Sequence, residues 1–202
     1  MALWSGRSLP ARELRRKLFH VFLGTAFILV LLTESRLMYA ASVLFILGLA
    51  LSVVHRNHPI RMVGRVLDHF DREGDVLPGT GIITFFLGVL LAWLLFPRDI
   101  AVAGCIVMTF GDPMASVIGI TLGSHACPYN RRKTIEGTAS FMIFSFMGLV
   151  LVFGPILALA GSIGGAIVES IRHPKGSLLN DNVTIPLGAS TSIYLIISIF
   201  GL

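Results

Sequence analysis

Apolar runs that approach the length of a bilayer-spanning helix recur along the whole sequence. A transmembrane helix needs roughly 17 to 25 mainly apolar residues. Seven segments come close to or meet that length, at residues 18–33, 38–54, 79–96, 100–122, 138–153, 156–171 and 183–201. No soluble domain of useful size remains between them. We therefore expect one integral membrane domain over residues 1–202, folded as an all-α polytopic bundle of about seven helices, with six as the alternative.

Composition and charge narrow the class of partners. Only 13% of the residues are charged and 54% are hydrophobic, whereas soluble domains are about 25% charged. The net charge of +5 lies in the loops of this hydrophobic chain. Anionic lipid headgroups or an anionic substrate are therefore the expected partners, and nucleic acid is not. Cys105 and Cys127 support neither a disulfide framework nor a metal motif.

The distribution of basic residues predicts an orientation. Fourteen of the 16 Lys and Arg residues lie in the N-terminal segment and in the alternate loops 55–78, 123–137 and 172–182. Only Arg36 and Arg98 lie on the other side. The positive-inside rule places the N-terminus in the cytoplasm and the C-terminus outside. Four polar clusters fall on or near the same face: "RELRRKLFH", "DHFDREGD", "NRRKTIEGT" and "LLNDNVTIP". We therefore expect a multi-pass membrane protein whose site opens to the cytoplasm.

The stretch "TFGDPMASVIG" places an acid and a proline inside the fourth predicted span. Gly111 can close one helix, Asp112 can cap the next and Pro113 suits a first helical position, so the pattern predicts a broken helix near Asp112. Counted back from Leu122, Asp112 lies about 15 Å below the cytoplasmic surface. An ionised carboxylate facing lipid there costs about 2.5 to 3.5 kcal/mol or more. Asp112 should therefore face protein or a water-filled cavity, as a metal-binding or catalytic carboxylate or as a capped structural residue at a kink.

Two basic clusters flank this span in the sequence. In "RRKLFH", Arg16, Lys17 and His20 can share one helix face. In "RRKTIEGT", the three cations at 131–133 stand beside Glu136. Cations suit a polyphosphate, and a carboxylate suits Mg²⁺, which prefers carboxylate together with phosphate oxygens. The alternative for both clusters is a positive-inside anchor that binds no ligand.

Further acidic and amide residues lie near the same face. Asp181 and Asn182, in "DNVTIP", stand at the mouth of the last span, where an Asx turn that caps the helix is the simpler interpretation. Glu169 lies near the cytoplasmic end of the sixth span and could instead snorkel to water. Glu73 belongs to an acidic stretch whose simplest interpretation is a solvated loop.

Several common signatures are missing from the sequence. It has no GxxxxGK[ST] loop, no HRD or DFG set and no HExxH pair, which argues against P-loop NTPases, protein kinases and the commonest membrane zinc proteases. Any phosphate chemistry would rest on carboxylates, cations and Mg²⁺.

Taken in order, "RRKLFH", "GDPMASVIG", "RRKTIEGT" and "DNVTIP" resemble the CTP-dependent lipid kinases, which include dolichol, phytol, farnesol and CTP-type diacylglycerol kinases. The match runs from about Arg12 to Pro186. Members of that family are polytopic proteins that move the γ-phosphate of CTP onto a lipid hydroxyl with a divalent cation. The resemblance therefore implies CTP as donor, Mg²⁺ or another divalent cation as cofactor, and a polyprenol, phytol-like alcohol or diacylglycerol as the membrane acceptor.

The resemblance also implies roles for individual residues: nucleotide-phosphate contacts for Arg16, Lys17 and Lys133, and essential roles for Asp112 and Gly119. We expect the catalytic set to be Asp112, Lys17 and Lys133. The expected nucleotide-binding set is Arg16, Lys17, Gly119, Gly123, Arg132, Lys133, Thr134, Gly137 and Thr138. The expected metal ligands are Asp112, Glu136, Asp181 and Asn182. His20, Glu73 and Glu169 are additional candidates.

Three other functions compete with the lipid kinase. "GDPMASVIGITLG" followed by "RRKTIEGT" is also similar to the CDP-diacylglycerol synthases, but the Pro-Gly-His-Gly-Gly signature of that family is missing here. A small transporter would also use a broken helix with a midplane charge, but we find no inverted sequence repeats. A structural membrane subunit explains the basic loops but not four polar clusters on one face. The sequence therefore favours the kinase, with the phosphatidate cytidylyltransferase as the alternative.

Overall fold

The computed structural model describes residues 8–34, 36–67, 71, 75–174 and 177–201. Within these residues the chain forms seven helices and one small β-hairpin. The helices are α1 (Ala11–Thr33), α2 (Leu37–Asn57), α3 (Arg61–Leu67), α4 (Thr80–Leu95), α5 (Arg98–Thr121), α6 (Ile135–Ser170) and α7 (Asp181–Phe200), and the strands are β1 (Ala126–Cys127) and β2 (Asn130–Thr134). Five of the helices, α1, α2, α5, α6 and α7, are long and apolar enough to cross a membrane. The prediction of an all-α polytopic membrane protein is confirmed.

Helix α6 is a helical hairpin. Gly154 has φ 74° and ψ 170°, a left-handed conformation that glycine adopts without steric cost, and Pro155 follows it. The hydroxyl of Thr138 donates to Oε2 of Glu169 at 3.2 Å, although 31 residues of unbroken helix would span about 47 Å. The chain therefore turns back at Gly154, and the predicted spans 138–153 and 156–171 lie in the two arms of α6. We call residues 135–153 the N-terminal arm and residues 155–170 the C-terminal arm.

Helix α5 is continuous from Arg98 to Thr121, with Pro113 inside it. The prediction of a broken helix near Asp112 is therefore wrong, and Asp112 does not cap a half-helix. Gly111 has no positive φ, unlike Gly154. A Cβ on Gly111 would lie 2.3 Å from Oγ of Ser145. The glycine allows α5 to pack closely against the N-terminal arm, rather than forming a turn.

The bundle is built around α5, which packs against α1, α4, both arms of α6 and α7. Large side chains of the core are fully buried around it, among them Met108, Phe141, Leu149, Ile185 and Ile193. Large apolar residues on the outer helices are exposed, as on α2 and the N-terminal arm. An exposed apolar surface around a buried central helix is the arrangement expected in lipid. Polar groups that must avoid lipid therefore gather against α5.

The β-hairpin connects α5 to α6 and carries the second basic cluster. Its strands pair antiparallel, with Cys127 opposite Asn130. Asn130 is buried, and its side-chain amide donates to the carbonyl oxygen of Ser170 at 2.9 Å. The hydroxyl of Thr134 accepts from the backbone N–H of Gly137 at 3.1 Å and so caps α6. The first contact holds the hairpin against the end of the C-terminal arm, and the second holds it at the start of the N-terminal arm.

Candidate functional site

A cavity of about 750 Å³ lies at the end of the bundle that carries the basic loops. Its lining residues come from α1, the start of α4, the second half of α5, the β-hairpin, both arms of α6 and the start of α7. The four motif clusters therefore meet in one place. The predicted site residues that line the cavity are Arg16, Lys17, His20, Asp112, Gly119, Arg132, Lys133, Thr134, Gly137, Glu169, Asp181 and Asn182.

A buried ion pair joins α1 to α5 in this cavity. Nζ of Lys17 donates to Oδ2 of Asp112 at 2.7 Å, and the two side chains are 8% and 7% exposed. A buried charge is strongly unfavourable unless it is paired and hydrogen-bonded. Each residue therefore allows the other to remain charged at this depth. The carboxylate lines the cavity, where it can reach a ligand.

His20 lies one turn beyond Lys17 on the same wall of the cavity. Its Nε2 is 3.1 Å from the carbonyl oxygen of Met108. Because a carbonyl oxygen only accepts, Nε2 carries the proton in this contact, and Nδ1 is the nitrogen left for a ligand. The imidazole also meets the ring of Phe85 edge-on, with centroids 4.9 Å apart. His20 therefore links α1, α4 and α5.

A second charged cluster is centred on Lys133. Its Nζ donates to Oε1 of Glu169 at 2.6 Å and to Oδ2 of Asp181 at 2.8 Å. Burial disfavours the charged ammonium, but the carboxylates of Asp181 and Glu169 outweigh burial and raise the pKa of Lys133 above its usual range. Lys133 is therefore a cation held between two carboxylates.

Glu169 does not reach water by snorkelling, so that alternative is wrong. The residue is 2% exposed, and its second oxygen accepts from Thr138. The hairpin turn at Gly154 brings the end of the C-terminal arm against the start of the N-terminal arm. Lys133, on β2, lies over both and neutralises the carboxylate.

His173 was not predicted and contacts the same cluster. Its Nδ1 is 3.1 Å from Oδ1 of Asp181, and its Nε2 is 3.3 Å from the hydroxyl of Thr184. Asp181 is thus held between His173 and Lys133. His173 precedes α7 by eight positions, in a segment without helical periodicity, so no sequence pattern relates it to the acid.

Asn180 and Asn182 attach α7 to α4. Asn180, rather than the predicted pair at 181 and 182, provides the cap of α7, because its side chain accepts from the N–H of Asn182 at 3.1 Å. The amide groups of Asn180 and Asn182 donate to the hydroxyl of Thr84 at 3.1 and 3.2 Å, and that of Asn182 also donates to the carbonyl of Gly81. Asp181 thereby faces the cavity. Sequence reasoning missed Asn180 and Thr84.

The remaining predicted residues lie elsewhere. Glu136 does not line the cavity; it accepts from Nδ1 of His125 at 2.6 Å and from the backbone N–H of His125 at 3.2 Å. Gly123 is a packing residue, because a Cβ there would lie 2.3 Å from the carbonyl oxygen of Gly119. Thr138 contacts Glu169 and does not line the cavity. Glu73 lies outside the described residues.

The donor set around the cavity suits a cation that is held mainly by phosphate. Within the part of the chain that the structure describes, no group of three or more His, Cys, Asp and Glu side chains could hold a metal by itself. Mg²⁺ in phosphate-transfer sites commonly takes only one or two carboxylates and completes its shell with phosphate and water oxygens. Asp112 and Asp181 offer such carboxylates, each beside a lysine.

Several known proteins with similar sequences are named as kinases of phytol, farnesol or diacylglycerol. The chain is 29% identical over 207 residues to probable phytol kinase 3, chloroplastic, of Glycine max, covering 90% of this chain and 62% of that protein. It is 28% identical to farnesol kinase, chloroplastic, of Arabidopsis thaliana, and the match covers 94% of this chain and 67% of that protein. It is 24% identical to CTP-dependent diacylglycerol kinase 1 of Schizosaccharomyces pombe, and the match covers 96% of this chain and 97% of that protein. No family model and no solved structure matches the chain.

The fold and cavity define a polytopic membrane protein with lysine–carboxylate clusters buried at one end. Within that class, the chain is similar in sequence to proteins named as phytol, farnesol and CTP-dependent diacylglycerol kinases, and the resemblance that its motifs indicated is confirmed. The chain spans a little under two thirds of the Glycine max phytol kinase, 62%, and nearly all of the yeast diacylglycerol kinase, 97%.

Proposed function

We propose that this protein transfers the γ-phosphate of CTP to the hydroxyl of a membrane lipid. The observation that carries the proposal is that the four motifs, which are far apart in sequence, meet in one cavity between membrane helices. These motifs are "RRKLFH", "GDPMASVIG", "RRKTIEGT" and "DNVTIP". The names of the relatives support the same reaction. The basic loops flank the cavity, and by the positive-inside rule they support a mouth that opens to the cytoplasm.

The cations of the cavity would bind the triphosphate. Arg16 and Lys17 lie on one wall, and Arg132 and Lys133 on another. Phosphoryl transfer depends mainly on positioning and on neutralising charge, because its transition state is loose. Two lysines already fixed by carboxylates need little reorganisation to meet a phosphate. Mg²⁺, held by Asp112 and Asp181 with phosphate oxygens, would supply further charge neutralisation.

Asp112 would position the acceptor. It lies deep on α5, beside Lys17 and on the side of the cavity that carries His20 and Phe85. In the proposed step the lipid oxygen bonds to the γ-phosphorus while the bond from that phosphorus to the bridging oxygen of CDP breaks. The hydroxyl proton passes to Asp112, and CDP leaves with the electron pair of the broken bond. A strong base is not required for such a step.

The test uses membranes containing the full chain, with CTP labelled at either the α- or the γ-phosphate. The acceptors are a polyprenol, phytol, farnesol and diacylglycerol, with phosphatidate added as the acceptor that a cytidylyltransferase would use. Label entering lipid from the γ position only is the expected result. Label from the α position would overturn the kinase in favour of the cytidylyltransferase. No label from either, with the protein correctly inserted, would favour a transporter or a structural subunit.

A substitution that keeps the shape of Asp112 tests whether the reaction takes place in this cavity. Asp112→Asn keeps the shape of the side chain and removes its charge, so transfer should fall by about 100-fold or more. Membrane insertion should be unchanged. Full activity of Asp112→Asn would remove Asp112 from the mechanism.

A further inference from the structure

The cavity has two chemically different ends. One end, at the β-hairpin and the start of α7, is charged and carries Arg131, Arg132, Lys133 and Asp181. The other end lies between α1 and α4 and is apolar. Its side chains, which we call the α1/α4 cleft, are Phe19, Leu23, Ile82 and Phe85. A cavity with such a division suits a ligand that has a polar head and a hydrocarbon tail.

Contacts between α1 and α4 define the length of the cleft. At its polar end, the ring of His20 meets that of Phe85, and the Lys17–Asp112 pair lies one turn away. Farther along α1, the rings of Phe27 and Phe86 pack edge-on with centroids 4.8 Å apart and close the space between the two helices. The last residue of α1 that lines the cavity is Leu23, six positions beyond Lys17, which corresponds to about 9 Å along the helix. The cleft therefore extends from the ion pair into the depth of the membrane.

The cleft also adjoins the lipid-facing surface of α1. Phe19 and Leu23 lie one turn apart and are half-buried, while their neighbour Phe22 is 71% exposed on the same helix. Helix α4 has only 16 residues and is about 24 Å long, less than the roughly 30 Å of a bilayer core. Such a short helix covers only part of α1. A hydrocarbon chain can therefore run from the bilayer, past Phe22, into the cleft.

We infer that the α1/α4 cleft holds the first part of the hydrocarbon tail of the acceptor lipid. This inference rests on the proposed function, because it assigns a place to the acceptor of that reaction. A tail in the cleft brings its terminal hydroxyl to Asp112, and the phosphates of the donor lie at the charged end. From Lys17 to Leu23 the cleft is about 9 Å long, so the remainder of a longer tail stays in the bilayer.

A pair of matched substitutions tests the cleft by kinetics. Leu23→Trp fills it, whereas Leu18→Trp makes the same change on the exposed surface of α1, where Leu18 is 62% exposed. Leu23→Trp should raise the KM for the lipid acceptor by about fivefold or more and leave the KM for CTP within about twofold of its original value. Leu18→Trp should change neither. Equal effects of the two variants, or an effect on CTP alone, would overturn the assignment.

Cross-linking tests the same site without relying on catalysis or on a variant that folds. A long-chain alcohol with a diazirine within its first few carbons is irradiated with the wild-type protein in membranes, and labelled peptides are identified by mass spectrometry. Label should concentrate on α1 and α4 near Leu23 and Ile82. Label there without phosphate transfer would support the cleft and refute the kinase. Transfer with label spread over α2 and the other lipid-facing helices would refute the cleft.

Discussion

Lys17 and Asp112 are 95 positions apart in the chain, yet their side chains form a buried ion pair with 2.7 Å between Nζ and Oδ2. The pair joins the second turn of α1 to the middle of α5 and lies at the junction of the charged and apolar ends of the cavity. It has two effects. It makes a charged carboxylate tolerable at this depth, and it holds that carboxylate where the two substrates of the proposed reaction meet.

These two effects can be separated by mutation. Lys17→Met removes the cation and leaves Asp112 buried and unpaired, which should lower the free energy of unfolding by about 3 to 5 kcal/mol. Adding Asp112→Asn removes the unpaired charge, so the double variant should regain most of that stability. Thermal unfolding in detergent measures the first effect, and phosphate transfer measures the second. Because the proposed reaction uses both residues, the double variant should stay inactive. A double variant as unstable as Lys17→Met would contradict the ion-pair interpretation.

The Lys133 cluster predicts how the site responds to pH. The raised pKa of Lys133 means that the stability contributed by its charge is fully present below the ordinary lysine value of about 10.4. That stability is lost only as the pH rises through the higher pKa of the folded protein. The wild-type protein should therefore unfold at nearly the same temperature from about pH 8 to pH 10. Lys133→Met should be less stable throughout this range, because it leaves Glu169 and Asp181 without their cation. A marked loss of wild-type stability between pH 8 and pH 9 would contradict the cluster.

Much of the fold follows from one-dimensional patterns. The lengths of apolar runs predict the spans, and the cost of a lipid-facing carboxylate predicts that Asp112 faces protein or a cavity. These inferences succeed because each depends on local sequence and on the bilayer. They do not identify Lys17 as the partner of Asp112, since contacts across 95 positions follow from helix packing, which no local pattern encodes.

The errors at Gly111 and Glu169 have the same origin. Glycine has two common uses: it allows tight turns, and it allows two helices to approach closely. At Gly111 the second use applies because Ser145 and Phe141 lie against it, whereas Gly154 does form a turn. Snorkelling of Glu169 assumes a helix end that faces water, but the C-terminal arm ends beneath Lys133. Both outcomes depend on neighbours that are remote in sequence.

His173 should act as a positioning residue through Asp181. Its Nδ1 contacts one oxygen of the carboxylate, and Lys133 contacts the other. His173→Leu removes this contact and should raise the KM for CTP about tenfold, which corresponds to loss of a hydrogen bond to a charged group. His173→Asn places an N–H near the position of Nδ1 and should restore most of the affinity. Steady-state kinetics at varied CTP measures both. If Asn and Leu behave alike while both proteins keep their thermal stability, His173 does not position Asp181.

The contact between α4 and α7 should be among those in the bundle that least tolerate a larger side chain. A Cβ on Gly88 would lie 2.1 Å from the backbone carbonyl oxygen of Asn182, and backbone cannot move aside as a flexible side chain can. In a regular helix the carbonyl of Asn182 would accept from the backbone N–H four residues further along α7. That residue is Pro186, which has no N–H. Gly88→Ala should therefore separate the two helices and lower the free energy of unfolding by about 1 to 3 kcal/mol.

The matched control is Gly48→Ala on α2, where a Cβ meets nothing within 4 Å. There the higher helix propensity of alanine should stabilise the protein by up to about 1 kcal/mol. Because Asn182 lies beside Asp181, Gly88→Ala should also reduce phosphate transfer more than Gly48→Ala does. Equal unfolding temperatures for the two variants would show that α4 and α7 do not approach as closely as these distances require.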